Sequence, residues 1–598
     1  MAKRSKKKQV ASSEVSPKIT TASAGVRGLP SWFRRDWLWG LILILFVILA
    51  YAPVWHAGFI WDDDSHLTAN PCIVGPLGLK EIWTTSAADI CPLTYTTFWV
   101  EHAFWGLNPL PYHLVNVLLQ ALSALLLWQV LRNLRVQGAW LGAALWALHP
   151  VMVESVAWIT EMKNTQSGVF FLLSILFFVR WLRARDLNGR TGGGWDYALT
   201  LLFAALAMVS KSSAVILPVV LCLCAWWIEG RWYWRNVARV VPILLLSVAA
   251  SALSIWTQRL QLAILTDPQW VRTWPQRLVT AGEAVWFYLG KLLWPYPLMT
   301  IYPRWQTDAG QWVSYLPLLA VIVTLAIFWL KRQIWSRACF FAFAYFIAAL
   351  LPVLGLIDNP IFRYSLVFDH LQYLASIGPL ALAGTGLVQI SDFIVPKNLW
   401  LQSALCAGLL LILGMASWQR TWAYESEETL WTDTLTKNPD SWLGHNNLGL
   451  ALLRKQQRYE ARMHFQKAVE INPNYVDARS NLGLVFVQEG QLDEAVDQYQ
   501  AAVEIDPNSP VAHANLGNAF FTKGQLDEAV AQYEKAAEID PNYCIGHYDL
   551  GLAFYTMGQL NDAITQFQEA LRLKPDFGPA KVHLARAQAL VRQAEGHK

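Results

Sequence analysis

Charge is what this chain has least of. Asp, Glu, Lys and Arg together make up 15% of its 598 residues, against 55% hydrophobic residues and 32 tryptophans. That balance excludes an ordinary soluble enzyme and reads as a polytopic membrane protein. The net charge of +4 offers no strongly basic surface for nucleic acid. There are only seven cysteines, and no His/Cys spacing marks a zinc or haem site. Cys222 and Cys224 lie inside an apolar run, where thiols serve as core. No small-residue cleavage site follows the first long apolar run, which argues against a removed signal peptide. Residues 1–36 therefore read as a basic cytoplasmic tail ahead of a signal-anchor helix. No pair of interrupted spans in matching halves suggests a transporter.

Apolar runs of membrane-crossing length recur at about 37–55, 112–131, 139–159, 165–182, 196–210, 212–228, 240–257, 312–330, 336–356, 372–390 and 399–417. Arg132/Arg135, Arg180/Arg183/Arg185, Arg231/Arg235/Arg239 and Lys331/Arg332/Arg337 fall at alternate connections. Basic loops stay cytoplasmic, so all four clusters belong on the side of the tail. The segment 278–297 would break that alternation as a twelfth span and is read as an interfacial or re-entrant helix. With eleven spans, the 56–111 loop and everything beyond residue 417 lie on the non-cytoplasmic side, the periplasm if the membrane is a bacterial inner membrane.

After residue 417 the composition changes and a 34-residue period appears. Leu448-Gly449, Leu482-Gly483, Leu516-Gly517 and Leu550-Gly551 keep this step, as do Ala461, Ala495, Ala529 and Ala563, and Pro473, Pro507, Pro541 and Pro575. These are tetratricopeptide repeats. Small residues let paired helices approach, an aromatic fills the gap and proline ends the second helix. The domains expected are the tail, a transmembrane domain over 37–417, a connecting half repeat over 418–441, and an α-solenoid over 442–598 with four full repeats and a capping helix. Such an array binds and does not catalyse.

Chemistry must then reside in the membrane half. "IWDDDSH", residues 60–66, places Asp62, Asp63 and Asp64 at the outer mouth of the first span. Further polar groups, His149, Glu154, Glu161 and Lys163, stand at the outer ends of the third and fourth spans, where each is costly without a partner or a cavity. Glu154, Trp158 and Glu161 share one helical face by their i, i+4, i+7 spacing. Lys211, in "MVSKSSAV", sits between two spans where a cation suits a lipid phosphate, or simply snorkels to the interface.

"WDDDSHLTANPCI", "PLTYTTFW", "LHPVMVESVAWITEMKN", "SKSSAVILP" and "DHLQYLASIGP", followed by the repeats, resemble the transmembrane and tetratricopeptide-repeat-containing proteins. The resemblance implies an all-α GT-C glycosyltransferase fold of about eleven transmembrane helices, similar to protein O-mannosyltransferases. It also implies inverting transfer of a hexose such as mannose from a polyprenyl-phosphate donor to Ser or Thr of a protein. The family's acidic pair maps onto Asp62 and Asp63. In its late outer loop, Asp369, His370 and Tyr373 stand where family members carry an arginine-tyrosine stretch.

An acceptor hydroxyl needs a base and the departing phosphate needs positive charge. Asp62 is the expected base, Asp63 its partner, and Lys211 with Arg363 the phosphate ligands. Asp64, Glu154 and His149 are supporting groups. Asp62 to Asp64 with Glu154 could equally hold a hard divalent cation or work without one. Cys72 and Cys91, both in the first outer loop, are expected to form a disulfide. Asn447, Asn481, Asn515 and Asp549 precede each Leu-Gly and are expected to line the groove as a ladder for an extended acceptor chain. The competing class is a non-catalytic membrane scaffold that presents its repeats to envelope proteins.

Overall fold

The computed structural model describes residues 35–85, 91–188, 194–264, 272–357, 359–396 and 398–595; the tail up to residue 34 lies outside them. Among these residues every regular element is a helix.

The helices of the first part are α1 Asp36–Ala50, α2 Leu79–Thr84, α3 Pro92–Trp105, α4 Pro109–Asn133 and α5 Ala139–Leu148. They continue with α6 Val153–Ala157, α7 Met162–Asn188, α8 Gly194–Ser210, α9 Leu217–Glu229 and α10 Trp234–Ile264. Then follow α11 Trp274–Leu293, α12 Leu316–Leu330, α13 Arg337–Leu350, α14 Ile377–Ile394 and α15 Leu399–Thr421.

Among the described residues seven helical stretches are long and apolar enough to cross a bilayer. An eighth is the pair Ala139–Leu148 and Pro150–Ala157, bent by 54°. Three shorter apolar helices, Asp36–Ala50, Gly194–Ser210 and Arg337–Val353, account for the remaining runs. All eleven runs expected from sequence are thus helical, and the chain is an integral membrane protein. The segment α11 is not among these spans. It buries one face, with Ala281, Ala284, Val285 and Tyr288, and leaves Trp274, Leu278 and Leu293 exposed. At Gly282 a Cβ would lie 2.6 Å from the Leu318 backbone nitrogen, so glycine sets how closely α11 meets the start of α12.

The bend in the eighth span has a local cause. Pro150 stops the helix at His149, and Trp158 takes an extended backbone before a 3-10 turn over Ile159–Glu161. Glu154 and Glu161 consequently do not share one continuous helical face, correcting the spacing argument. Backbone groups freed by the break are taken up from α4: the Asn116 amide donates to Val156 O at 2.9 Å and to Trp158 O at 3.2 Å.

The repeat part comprises α16 Glu427–Lys437, then the pairs α17 Trp442–Arg454 with α18 Arg458–Ile471 and α19 Val476–Glu489 with α20 Leu492–Ile505. Two further pairs follow, α21 Pro510–Thr522 with α22 Leu526–Ile539 and α23 Cys544–Thr556 with α24 Leu560–Leu573. The array ends in α25 Gly578–Glu595. A Cβ at Gly449, Gly483, Gly517 or Gly551 would stand 2.6 to 2.8 Å from the ring of Phe465, Tyr499, Tyr533 or Phe567. The Leu-Gly signature is therefore steric. A second 34-residue series reinforces it. The side chains of His445, Arg479, His513 and His547 each bond a proline carbonyl six residues back and the side chain nineteen residues on.

The repeats are joined to the helices before them by specific bonds. Gly58 N donates to Glu425 O at 3.0 Å, Lys437 Nζ to Leu298 O at 2.8 Å, and Asn438 Nδ2 to Ile301 O at 3.2 Å.

Candidate active site at the acidic turn

The turn after the first span is pinned from inside. Asp63 is fully buried. Its carboxyl group accepts from Ile60 N and Thr160 N, both at 2.9 Å, and from the Thr160 hydroxyl. Burial pushes Asp63 up to about 7, against the pull of those donors. Its neighbours face elsewhere. Asp64 accepts from the Thr68 hydroxyl at 2.8 Å and pairs with Arg454 of α17 at 3.2 Å. Asp62 alone lines a cavity of about 380 Å³.

Within that cavity Asp62 is met by Lys163, Lys211 and Arg363, with Glu161 and His370 beside them. Three cations thus face two carboxylates. Glu161 is the hub: Lys163 Nζ lies at 2.9 Å, Lys211 Nζ at 3.2 Å and the Asn164 amide at 2.6 Å. Lys211 also donates to Asn164 Oδ1 at 2.7 Å. It is therefore held in the site and does not merely snorkel. Arg363 lies over the Tyr364 ring at 4.5 Å, and its buried Nε has no hydrogen-bond partner among the described residues. That is an unmet donor at the wall of a polar cavity.

His370 stands between two acids, its Nδ1 3.4 Å from Glu154 and its Nε2 3.9 Å from Glu161. Glu154 also accepts from His370 N at 2.8 Å, so this carboxylate fixes the late loop from behind the cavity. On the other wall, His66 Nδ1 bonds the Tyr95 hydroxyl while its Nε2 lies 4.0 Å from Asp62. Sequence reasoning gave no role to Thr160, Asn164, His66 or Tyr95. For Thr160 and Asn164 the signal available was the polar set Thr160, Glu161, Lys163 and Asn164 inside an apolar stretch.

Several expectations are corrected. Asp63 positions the turn and does not line the cavity. His149 is a buried structural residue, its Nε2 3.1 Å from Leu292 O and its Nδ1 accepting from Val151 N. Asp369 is buried and accepts from Tyr302 Oη at 2.9 Å; burial and then the Glu154 charge raise it to about 8. Tyr373 donates to Gln120 in the helix core at 2.6 Å. Asp62, Asp63, Asp64 and Glu154 point in separate directions, and among the described residues no group of three His, Cys, Asp or Glu is placed to hold a metal ion. Cys72 and Cys91 are thiols, not a disulfide. Both sit in one apolar cluster with Leu67, Ile82, Tyr95 and Phe98, where they pack as small hydrophobes.

Two of the residues expected to form the ladder bond a neighbouring asparagine. Asn481 donates to Asn446 Oδ1 at 2.9 Å and Asn446 to Asn447 Oδ1 at 3.1 Å. Asn446 thereby links the first two rungs. Asn447, Asn481, Asn515 and Asp549 are all partly exposed, and burial raises Asp549 to about 7.

An all-α membrane protein with a charged cavity beside the acidic turn after its first apolar helix and an appended repeat array defines the class. Tetratricopeptide-repeat family models match residues 444–475, 464–497 and 544–577, and the related TPR repeat model matches 483–524 and 517–558. A protein O-mannosyl-transferase from Caenorhabditis elegans is 23% identical over 484 residues, 77% of this chain and 65% of its own length. Protein O-mannosyl-transferase TMTC3 of Mus musculus is 22% identical over 73% of this chain and 51% of its own. Mouse TMTC2 is 31% identical over a shorter 179 residues, 28% of this chain and 21% of its own. The chain is thus similar to proteins named as TMTC protein O-mannosyl-transferases, and it spans two thirds or less of the length of these relatives. Among solved structures, MamA is similar at 22% identity and TM-score 0.24, over 25% of this chain and 86% of its own. YrrB, a TPR protein with an unusual peptide-binding site, is similar at 22% identity and TM-score 0.24, over 33% and 97%.

Proposed function

We propose that the chain is a GT-C type glycosyltransferase that moves a hexose, mannose or a close relative, from a polyprenyl-phosphate donor to Ser or Thr of a polypeptide on the non-cytoplasmic side. The observation that carries this reading is the shared cavity: Asp62 lines it together with the cations Lys211, Lys163 and Arg363, while the second carboxylate, Glu161, pairs with the two lysines. The homology to proteins named O-mannosyl-transferases supports it.

In this mechanism the acceptor hydroxyl attacks C1 of the sugar as Asp62 takes its proton. The C1–O bond to the phosphate breaks, and the released phosphate is held by Lys211 and Arg363, whose charges stabilise what develops in the transition state. One displacement inverts the anomeric centre. A double displacement needs a carboxylate nucleophile, and Glu154, the candidate for it, is engaged with His370 outside the cavity lining. The repeats present the acceptor. Tyr364, on the cavity wall, packs with its ring tilted by 47° against Trp442 at the start of the first repeat, the centroids 5.5 Å apart, so the array begins at the edge of the site.

The test is Asp62→Asn, assayed with a lipid-linked hexose and a Ser/Thr peptide. Transfer should fall by roughly 10²- to 10⁴-fold while donor binding persists. Wild-type turnover by this variant would sink the assignment and favour a scaffold.

A further inference from the structure

A second charged concavity lies at the opposite end of α9 and α13 from the cavity. α9 follows Lys211 and Ser212 at the cavity and ends beside Arg231, whereas α13 begins at Arg337 and leads, past Val353, to the loop that carries Arg363. At that far end Arg231, Arg332 and Arg337 surround a basin of about 460 Å³ with Trp226, Trp232 and Trp329. Trp232 and Trp329 also belong to an adjoining apolar groove of about 560 Å³. The groove runs between α12 and α13, past Phe340, Ala344, Ala348 and Leu351.

We propose that this basin and groove bind one anionic phospholipid, with its phosphate among the three arginines and an acyl chain along α13.

Charge and shape both support this occupant. The Arg332 guanidinium lies 3.7 Å over Trp329 and donates to Trp329 O at 2.6 Å. Arg337 lies 5.1 Å over Trp227, and Arg231 lies 4.6 Å over Tyr233. Among the described residues these arginines rest on rings, a hydroxyl and carbonyls, and no carboxylate pairs with them. The nearby Glu229 accepts instead from the Asn236 amide at 2.6 Å. A guanidinium stacked on an aromatic face keeps its planar N–H edge available for bidentate phosphate binding. Avoidance of translocation explains why basic residues collect at this end of the helices. It does not explain why they ring a concavity continuous with an apolar groove. From Phe340 to Leu351 the groove follows α13 for roughly 16 Å, about half the hydrocarbon thickness, which is the reach of one leaflet's acyl chain. Ala344 and Ala348 keep it open.

The experiment is native mass spectrometry of the full chain released from detergent, titrated with phosphatidylglycerol or with phosphatidylcholine of the same acyl composition. Wild type should retain one phosphatidylglycerol in preference to phosphatidylcholine. Joint Arg231→Gln and Arg332→Gln should reduce that retention roughly 10-fold. Ala344→Trp, which fills the groove and leaves the arginines intact, should reduce it as well, with thermal unfolding and sugar transfer unchanged. Equal retention of the two lipids, or wild-type retention by either variant, would overturn the proposal. Displacement of the lipid by millimolar inorganic phosphate would also overturn it, in favour of a headgroup-only site.

Discussion

Arg454, the last residue of the first repeat helix, reaches Asp64 of the acidic turn with Nη2 3.2 Å from Oδ2. The same guanidinium bonds Glu427 of the connecting helix. Three consecutive aspartates thus serve three partners: the cavity for Asp62, the protein interior for Asp63 and the repeat array for Asp64.

This division makes Asp64 a docking residue. Both members of the pair are more than half or about half exposed, at 58% and 50%, so a double-mutant cycle of Asp64→Asn and Arg454→Gln should show a coupling of about 0.2–1 kcal/mol. Turnover on a short peptide should stay near wild type. A loss matching that of Asp62→Asn would show that Asp64 belongs to the chemistry.

Asp63 is expected to act on stability first. Asp63→Ala leaves Ile60 N, Thr160 N and the Thr160 hydroxyl without their acceptor, each at a cost of about 1–3 kcal/mol. Asp63→Asn keeps an acceptor oxygen and should be milder. Thermal unfolding in detergent checks the order; a stable, active Asp63→Ala protein would contradict the positioning role.

Glu101, in α3, is buried with both carboxyl oxygens without a hydrogen-bond partner among the described residues, and burial alone raises it to about 8 from an ordinary 4.5. The folded protein then holds this proton where the unfolded chain has lost it, so the contribution of Glu101 to stability is full below about 4.5 and declines until about pH 8. Glu101→Gln should therefore raise the melting temperature at pH 8 more than at pH 5. An equal shift at both values would mean that the group is already ionised in the fold.

The groove residues give the acceptor test. Replacing Asn447, Asn481 and Asn515 together by alanine should impair modification of long protein acceptors and spare a short Ser/Thr peptide. Each side chain is partly exposed and supplies both a donor and an acceptor to a passing backbone. Steady-state kinetics on the two substrates decides, and equal loss on both would count against a ladder that delivers the chain.

Local, periodic features were legible without coordinates. The eleven apolar runs and the 34-residue repeat depend on spacing within a single helix or helix pair, and the structure contains each of them. The position of Asp62 was legible too, because its place at the end of an apolar run is a property of the chain itself. Tertiary packing decided what adjacent side chains do. Asp63 finds Thr160 across 97 residues, His149 finds Leu292 across 143 and Glu154 finds His370 across 216. The turn at 60–66 and the break at 149–161 are irregular, so neither the helical nor the strand period tells which way a side chain points there. A carboxylate in such a segment lines a cavity, braces the turn or makes a docking contact according to the distant group that packs against it.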